Sequence, residues 1–195
     1  MLDKIKPHLE RIKTKGATYL DARWYPVEET NYLMMWNGNL KAATSARESG
    51  LGIRVLYKGA WGFSASSDLG DLAALFDKAF DNARVAAERV TFPIRLAEKD
   101  AVQAKFESPC AVNPFDVPLA DKVAFLKEMD GLMDQKGVAQ RMGDMTFVRK
   151  QIHFVDSEGS QIEKNITEAF ATLKVTGLDA TGAMFERTFR PQRQG

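Results

Sequence analysis

Residues 50–66 read GLGIRVLYKGAWGFSAS, with glycines at 50, 52, 59 and 62 set among β-branched and aromatic residues. Such a stretch is either a phosphate-cradling loop or two tightly turned strands. A dinucleotide-binding turn needs a third glycine where Val55 stands and a helix directly after it, and a P-loop needs a Lys-Ser/Thr pair that is missing here. What remains is alternation: Ile53, Val55 and Tyr57, a turn at Lys58-Gly59, then Trp61, Phe63 and Ala65. This pattern specifies a β-hairpin with one face buried.

The flanking segments extend that hairpin into a meander. Leu2, Ile5, Leu9 and Ile12 recur at helical spacing up to Gly16, a helix stop, with Pro7 expected in the first turn. From Ala17 the period changes to two, with Leu20, Ala22 and Trp24 on one face and Tyr19, Asp21, Arg23 and Tyr25 on the other, and Pro26 is expected to end the strand. Asn37-Gly38 favours the positive φ angles of a type I′ turn between strands at about 30–36 and 40–47.

After Ser67-Asp68, either of which is a suitable N-cap, Leu72, Leu75, Phe76, Ala79, Ala83, Ala87 and Val90 trace one face of a long helix, with Arg84 and Glu88 paired on its solvated side. Residues 91–118 hold Pro93, Pro109, Pro114 and Pro118 and read as a long surface connection in which Cys110 packs rather than reacts. Leu119, Val123, Leu126, Met129 and Met133 give a third helix with a core-facing stripe, stopped by Gly137. Strands follow at 138–149, 151–155, 161–167, 169–176 and 183–190, with turns at DSEGS and LDATG. The expected fold is α+β: antiparallel β-meanders packed with three helices, in a single domain over 1–195. A helix-plus-meander unit is read as internally duplicated over 1–90 and 119–190, joined by the connection 91–118.

Composition narrows the function. Twenty-seven basic against twenty-six acidic residues leave a net charge of +1, which argues against direct nucleic-acid binding, and the basic tail with Arg187, Arg190 and Arg193 reads as solvated. A lone cysteine, no apolar h-region and no apolar run near the about 18–20 residues that span a bilayer point to a soluble protein of a reducing, cytoplasmic compartment without membrane contact.

No chemistry assembles from local motifs. The two histidines, His8 and His153, lack second ligands at helical or hairpin spacing, and His153 reads as a surface residue on a strand. The paired acids Glu28-Glu29 and Asp156/Glu158 fall where turns are expected, and neither Ser66 nor Ser157 sits in a nucleophile elbow. No catalytic or metal residue and no cofactor is assigned to this chain.

In the order YLDARWYP, GLGIRVLYKGAWGFSAS, SPCAVNPFDVPLADKVAFLKEMD and VDSEGSQIEKN, the chain resembles the N-terminal domain of the TldD/PmbA family, candidate modulators of DNA gyrase regarded as metallopeptidases. The sharpest match is G-x-G-[IV]-R-V followed by W-G-F-[AS], carried by Gly50, Gly52, Ile53, Arg54, Val55, Trp61, Gly62, Phe63 and Ser64, with Asp156 and Gly159 in the later turn. The resemblance implies that Gly50, Gly52, Arg54, Trp61, Gly62, Phe63, Asp156 and Gly159 build the fold or line a substrate chamber. It places zinc in a C-terminal catalytic domain that this chain does not carry, bound there by an H-E-x-x-x-H motif and a later cysteine. It further implies a fragment or N-terminal-only form, a homodimer or a heterodimer with a family subunit, and unfolded peptide as substrate. The alternative is a stand-alone peptide- or protein-binding module without peptidase activity.

Overall fold

The computed structural model describes residues 1–191, so Arg193 lies outside the described residues. In chain order the elements are α1 (Leu2–Thr14), β1 (Tyr19–Trp36), β2 (Asn39–Tyr57), β3 (Ala60–Ser66), α2 (Leu72–Ala87), β4 (Gln103–Glu107), α3 (Leu119–Met133), β5 (Val138–Asp156), β6 (Gln161–Leu178) and β7 (Met184–Phe189). The α+β reading holds: three helices accompany a seven-stranded sheet of order β3-β2-β1-β5-β6-β4, with β7 on β6. β2–β3 and β6–β7 are antiparallel; the expected type I′ turn has positive φ at Asn37 and Gly38, and the turn expected at Lys58-Gly59 has the same pair of positive φ angles.

Four strands are far longer than the sequence pattern suggested. β1 does not end at Pro26 but continues to Trp36, and β2, β5 and β6 run unbroken through 48–52, 150 and 168. Pro26 removes one ladder donor, yet its fixed φ suits extended backbone and it pushes Tyr25 toward the same region. The connection 91–118 also contains a strand: β4 pairs parallel with β6, Gln103 opposite Gln161 through Glu107 opposite Asn165.

The chain divides into two compact units. The first comprises 1–28, 48–107 and 150–165, and the second 29–47, 108–149 and the described residues from 166 onward. In the first unit, α1 and α2 cover one face of the strands, burying Ile5, Leu9, Ile12, Phe76, Ala79 and Ala83 against Leu20, Ala22, Leu51, Ile53 and Val55. Full burial of each Leu, Ile, Val or Phe side chain among them contributes about 1.5–3 kcal/mol. Arg11 of α1 and Lys15, the residue capping its C-terminus, both bind Asp77 of α2, at 2.8 and 2.7 Å.

Helix ends differ from expectation in detail. Pro7 lies in the second turn of α1 rather than the first, on an exposed position where water can satisfy the carbonyl it frees. The N-cap of α2 is Asp71, whose side chain accepts from the Ala74 N–H at 2.9 Å, while Asp68 closes a local turn by accepting from Gly70 N–H. Arg84 reaches Asp81 at 3.6 Å rather than Glu88.

In the second unit, α3 lays Leu126 on Leu33, Met35, Met145 and Phe147, with Val123 and Phe115 beside them. The expected apolar stripe is only partly the buried one: Leu119 is exposed, whereas Lys122 and Asp130 are buried. Lys122 lies over the Phe147 ring at 4.6 Å, and Asp130 meets Arg141 through Oδ2 at 3.2 Å, while its buried Oδ1 accepts no hydrogen bond. Cys110, expected to pack, is exposed, and its thiol donates to the Val112 carbonyl at 3.3 Å.

Candidate functional site

Because α1 and α2 cover one face of the first unit's strands, the residues alternating with that core point the other way. They are Tyr19, Asp21, Arg23 and Tyr25 on β1, Gly50, Gly52 and Arg54 on β2, and Trp61 and Phe63 on β3. β5 adds Ile152 and Phe154, and β6 adds Ile162 and Lys164. Arg23 lies over the Phe154 ring at 5.6 Å and Arg54 over the Trp61 ring at 5.0 Å, which places these side chains on a common face.

One end of this face is closed by structural contacts. The Asp21 carboxylate, 0% exposed, receives three hydrogen bonds from the Arg54 guanidinium at 2.6–3.2 Å, while Arg23 stands 3.7 Å away. The hydrogen bond to Asp21 holds the Arg54 guanidinium above its ordinary pKa. Tyr19 packs edge-on to Trp61 at 5.8 Å, and burial, then the Asp21 and Asp156 charges, push its phenol well above its ordinary value. The chain after α2 lies along this end: Ile94 N–H donates to the Gly59 carbonyl at 2.9 Å, and Lys99 sits over the Tyr19 ring.

Asp156 fixes the turn between β5 and β6. Its buried carboxylate accepts from the Glu158 and Ser160 N–H groups at 3.0 and 2.8 Å and from Lys99 at 2.6 Å. Burial alone would raise its pKa, but the Lys99 bond and the two backbone donors outweigh it and hold the carboxyl below its ordinary range. The stability this group contributes is therefore complete above about pH 4 and is lost as pH falls toward the depressed folded value. Lys99, held above its ordinary value chiefly by the same bond, contributes below about pH 10 and loses that contribution as pH rises further. Asp156→Ala should cost about 3 kcal/mol at neutral pH by stranding buried donors, and should flatten the acid limb of a urea-unfolding pH profile. An unchanged acid limb would show that the turn is held otherwise.

The other end of the face is open. A cleft of about 440 Å³ is lined by Tyr25, Glu28, Glu48, Gly50, Gly52 and Phe63, among others. Phe63 is 58% exposed, and its ring lies over Gly52, 3.4 Å from where a Cβ there would sit. A second cleft of about 340 Å³ is lined by Arg23, Tyr25, Ile152, Phe154, Ile162 and Lys164. Aromatic and aliphatic walls beside a small number of charged groups suit binding of a flexible ligand through side-chain pockets.

The residues singled out by sequence thus separate. Gly50, Gly52 and Phe63 line the open cleft, whereas Arg54 and Trp61 belong to the closed end, Gly62 faces α2, and Asp156 and Gly159 form the turn. Tyr25, Ile152, Phe154, Ile162 and Lys164 were not singled out; the alternation in β1 signalled Tyr25, but their assembly depends on strand neighbours distant in sequence. The acidic pairs are ion-paired: Glu28 to Lys150 at 2.7 Å, Glu29 to Arg149 at 2.6 Å, and both Asp156 and Glu158 to Lys99. Glu28 and Glu29 lie inside β1 and not at a turn. His8 stacks on Phe76, and His153, expected at the surface, is only 22% exposed and stacks on Trp24 at 4.9 Å. Among the described residues no three His, Cys, Asp or Glu side chains converge to hold a metal ion, and no helix is long and apolar enough to cross a membrane.

Residues 27–83 match the family model described as PmbA/TldA metallopeptidase domain 1. A metalloprotease of Methanocaldococcus jannaschii is 28% identical over 169 residues, which is 85% of this chain and 36% of the relative. The crystal structure of a candidate modulator of a DNA gyrase from Thermotoga maritima has the same fold, with a TM-score of 0.68 at 17% identity over 97% of this chain and 42% of that one. TldE from Thermococcus kodakarensis gives 0.64 at 13% identity over 96% and 43%. The chain thus spans well under half the length of the proteins it matches.

Proposed function

From a chain similar in sequence and fold to the N-terminal domain of the TldD/PmbA family, we propose a non-catalytic, substrate-holding domain of a zinc metallopeptidase that acts on unfolded peptides. The observation that carries this reading is the open sheet face of the first unit, where Tyr25, Phe63 and Phe154 line two clefts. An unfolded peptide offers extended backbone and spaced side chains, which such a face can take without a preformed shape in the ligand.

The residues of this chain do not fit a zinc centre: both histidines are engaged in ring stacking and the lone cysteine is distant in sequence from either. The zinc ligands belong, on this reading, to the family's catalytic domain carrying H-E-x-x-x-H, and the protein assembles in the cytoplasm as a homodimer or as a heterodimer with a family subunit. The clefts are complete within the first unit, which favours as a second reading a stand-alone peptide-binding module.

A quenched-fluorescent unfolded peptide tests this. The chain alone, with zinc added, should bind it without cleavage, and cleavage should appear when a family subunit bearing H-E-x-x-x-H is added and sediments with the chain. Cleavage by the chain alone would overturn the non-catalytic assignment. Peptide binding without any association would select the stand-alone module.

A further inference from the structure

Resting on that peptide-binding reading, we propose that the open face sorts charge, taking a Lys or Arg side chain of the peptide in one cleft and an Asp or Glu side chain about four residues away in the other. The two clefts share Tyr25 as a common wall. The first carries Glu28 and Glu48 and no cation among its lining residues. Glu28 is held by Lys150, so Glu48, exposed and without an ion pair among the described residues, is the carboxylate left to meet a ligand. Phe63 beside it offers a ring face to an aliphatic stem or a guanidinium.

The second cleft has the opposite sign. Arg23, over the Phe154 ring at 5.6 Å, and Lys164 line it together with Ile152 and Ile162, with no acid in the lining. Asp21 near Arg23 is already saturated by Arg54, and Lys164 makes no ion pair among the described residues. A ligand carboxylate therefore finds two cations above an apolar floor.

Spacing ties the two together. Glu48 is on β2 and Lys164 on β6, three strand spacings apart in the sheet order, about 14 Å. An extended peptide crosses that distance in about four residues, and side chains at i and i+4 of an extended chain point the same way. A single extended segment lying across the strands can thus fill both clefts.

The test is fluorescence anisotropy with a labelled, unstructured octapeptide carrying Lys and, four residues on, Glu, beside versions with Gln at either or both positions. Exposed ion pairs contribute a factor of about 3–5 each, so the doubly charged peptide should bind about tenfold more tightly than the Gln–Gln version at low ionic strength. That gap should close as salt shortens the screening length. Glu48→Gln should remove only the gain due to the peptide's Lys, and Lys164→Gln only the gain due to its Glu; both positions are exposed, so folding is preserved. Equal affinities for all four peptides, or variants that do not discriminate between them, would overturn charge sorting and leave the peptide-binding reading standing. No binding of any peptide to the wild-type chain would overturn both.

Discussion

Gly62→Ala is expected to cost about 3 kcal/mol or more, a large fraction of the about 5–15 kcal/mol that keeps a typical domain folded. The strand β3 passes directly beneath α2, and a Cβ on Gly62 would overlap the Ala79 carbonyl and the Ala83 backbone nitrogen. Both are backbone atoms of a packed helix, so relief requires moving α2 away from the core that Phe76, Ala79 and Ala83 form with Ile53 and Val55. Thermal unfolding followed by circular dichroism checks this against Gly131→Ala, where an added Cβ meets nothing within 4 Å. Gly131 lies in α3, so that second substitution should stabilise by about 0.5–1 kcal/mol. Equal effects of the two would mean that β3 and α2 are not packed as described.

Arg54→Ala carries the next largest expected effect, again about 3 kcal/mol. The loss comes from Asp21, a carboxylate that stays buried after its three hydrogen bonds are removed, with Arg23 at 3.7 Å as the remaining cation. Trp61 also loses the guanidinium over its ring. Arg54→Lys should recover only part of the loss, since an ammonium cannot reproduce the forked contact. Pairing Arg54→Met with Asp21→Asn should be closer to wild type than Arg54→Ala alone, because no uncompensated charge is then buried. A double variant as unstable as the sum of its single variants would contradict this account of the pair.

The parts of the fold that could be read in the sequence are those set by neighbouring residues. Asn37-Gly38 and Lys58-Gly59 carry the φ preferences of their turns in their own chemistry, and the alternation of Ile53, Val55, Trp61 and Phe63 fixes which face of the hairpin is buried. The apparent breaks in the long strands have a different origin. They fall near Pro26, between Arg47 and Gly50, at Arg149–Gln151 and between Thr167 and Ala169. The two compact units divide at 28/29, 47/48, 149/150 and 165/166, on or close to those positions. The lapse in apolar periodicity there marks a change of core while the backbone continues as strand.

Other features depend on partners the sequence does not place. β4 is five exposed residues whose identity as a strand comes from parallel pairing with β6. Lys122 and Asp130 look like the solvated side of α3 until Phe147 and Arg141 are brought against them. The candidate site was legible in halves: the Gly50–Phe63 motif and the polar face of β1 stand out locally, while Ile152, Phe154, Ile162 and Lys164 join them only through the strand order.

The central claim is that the open face of the first unit is where unfolded peptide is held. A photocrosslinking phenylalanine analogue placed at Phe63, 58% exposed, and separately at Phe125 of α3, 48% exposed, tests it directly. A labelled unfolded peptide should crosslink at position 63 and be displaced by excess unlabelled peptide, with little capture at position 125. Equal capture at both positions, or capture confined to 125, would contradict it.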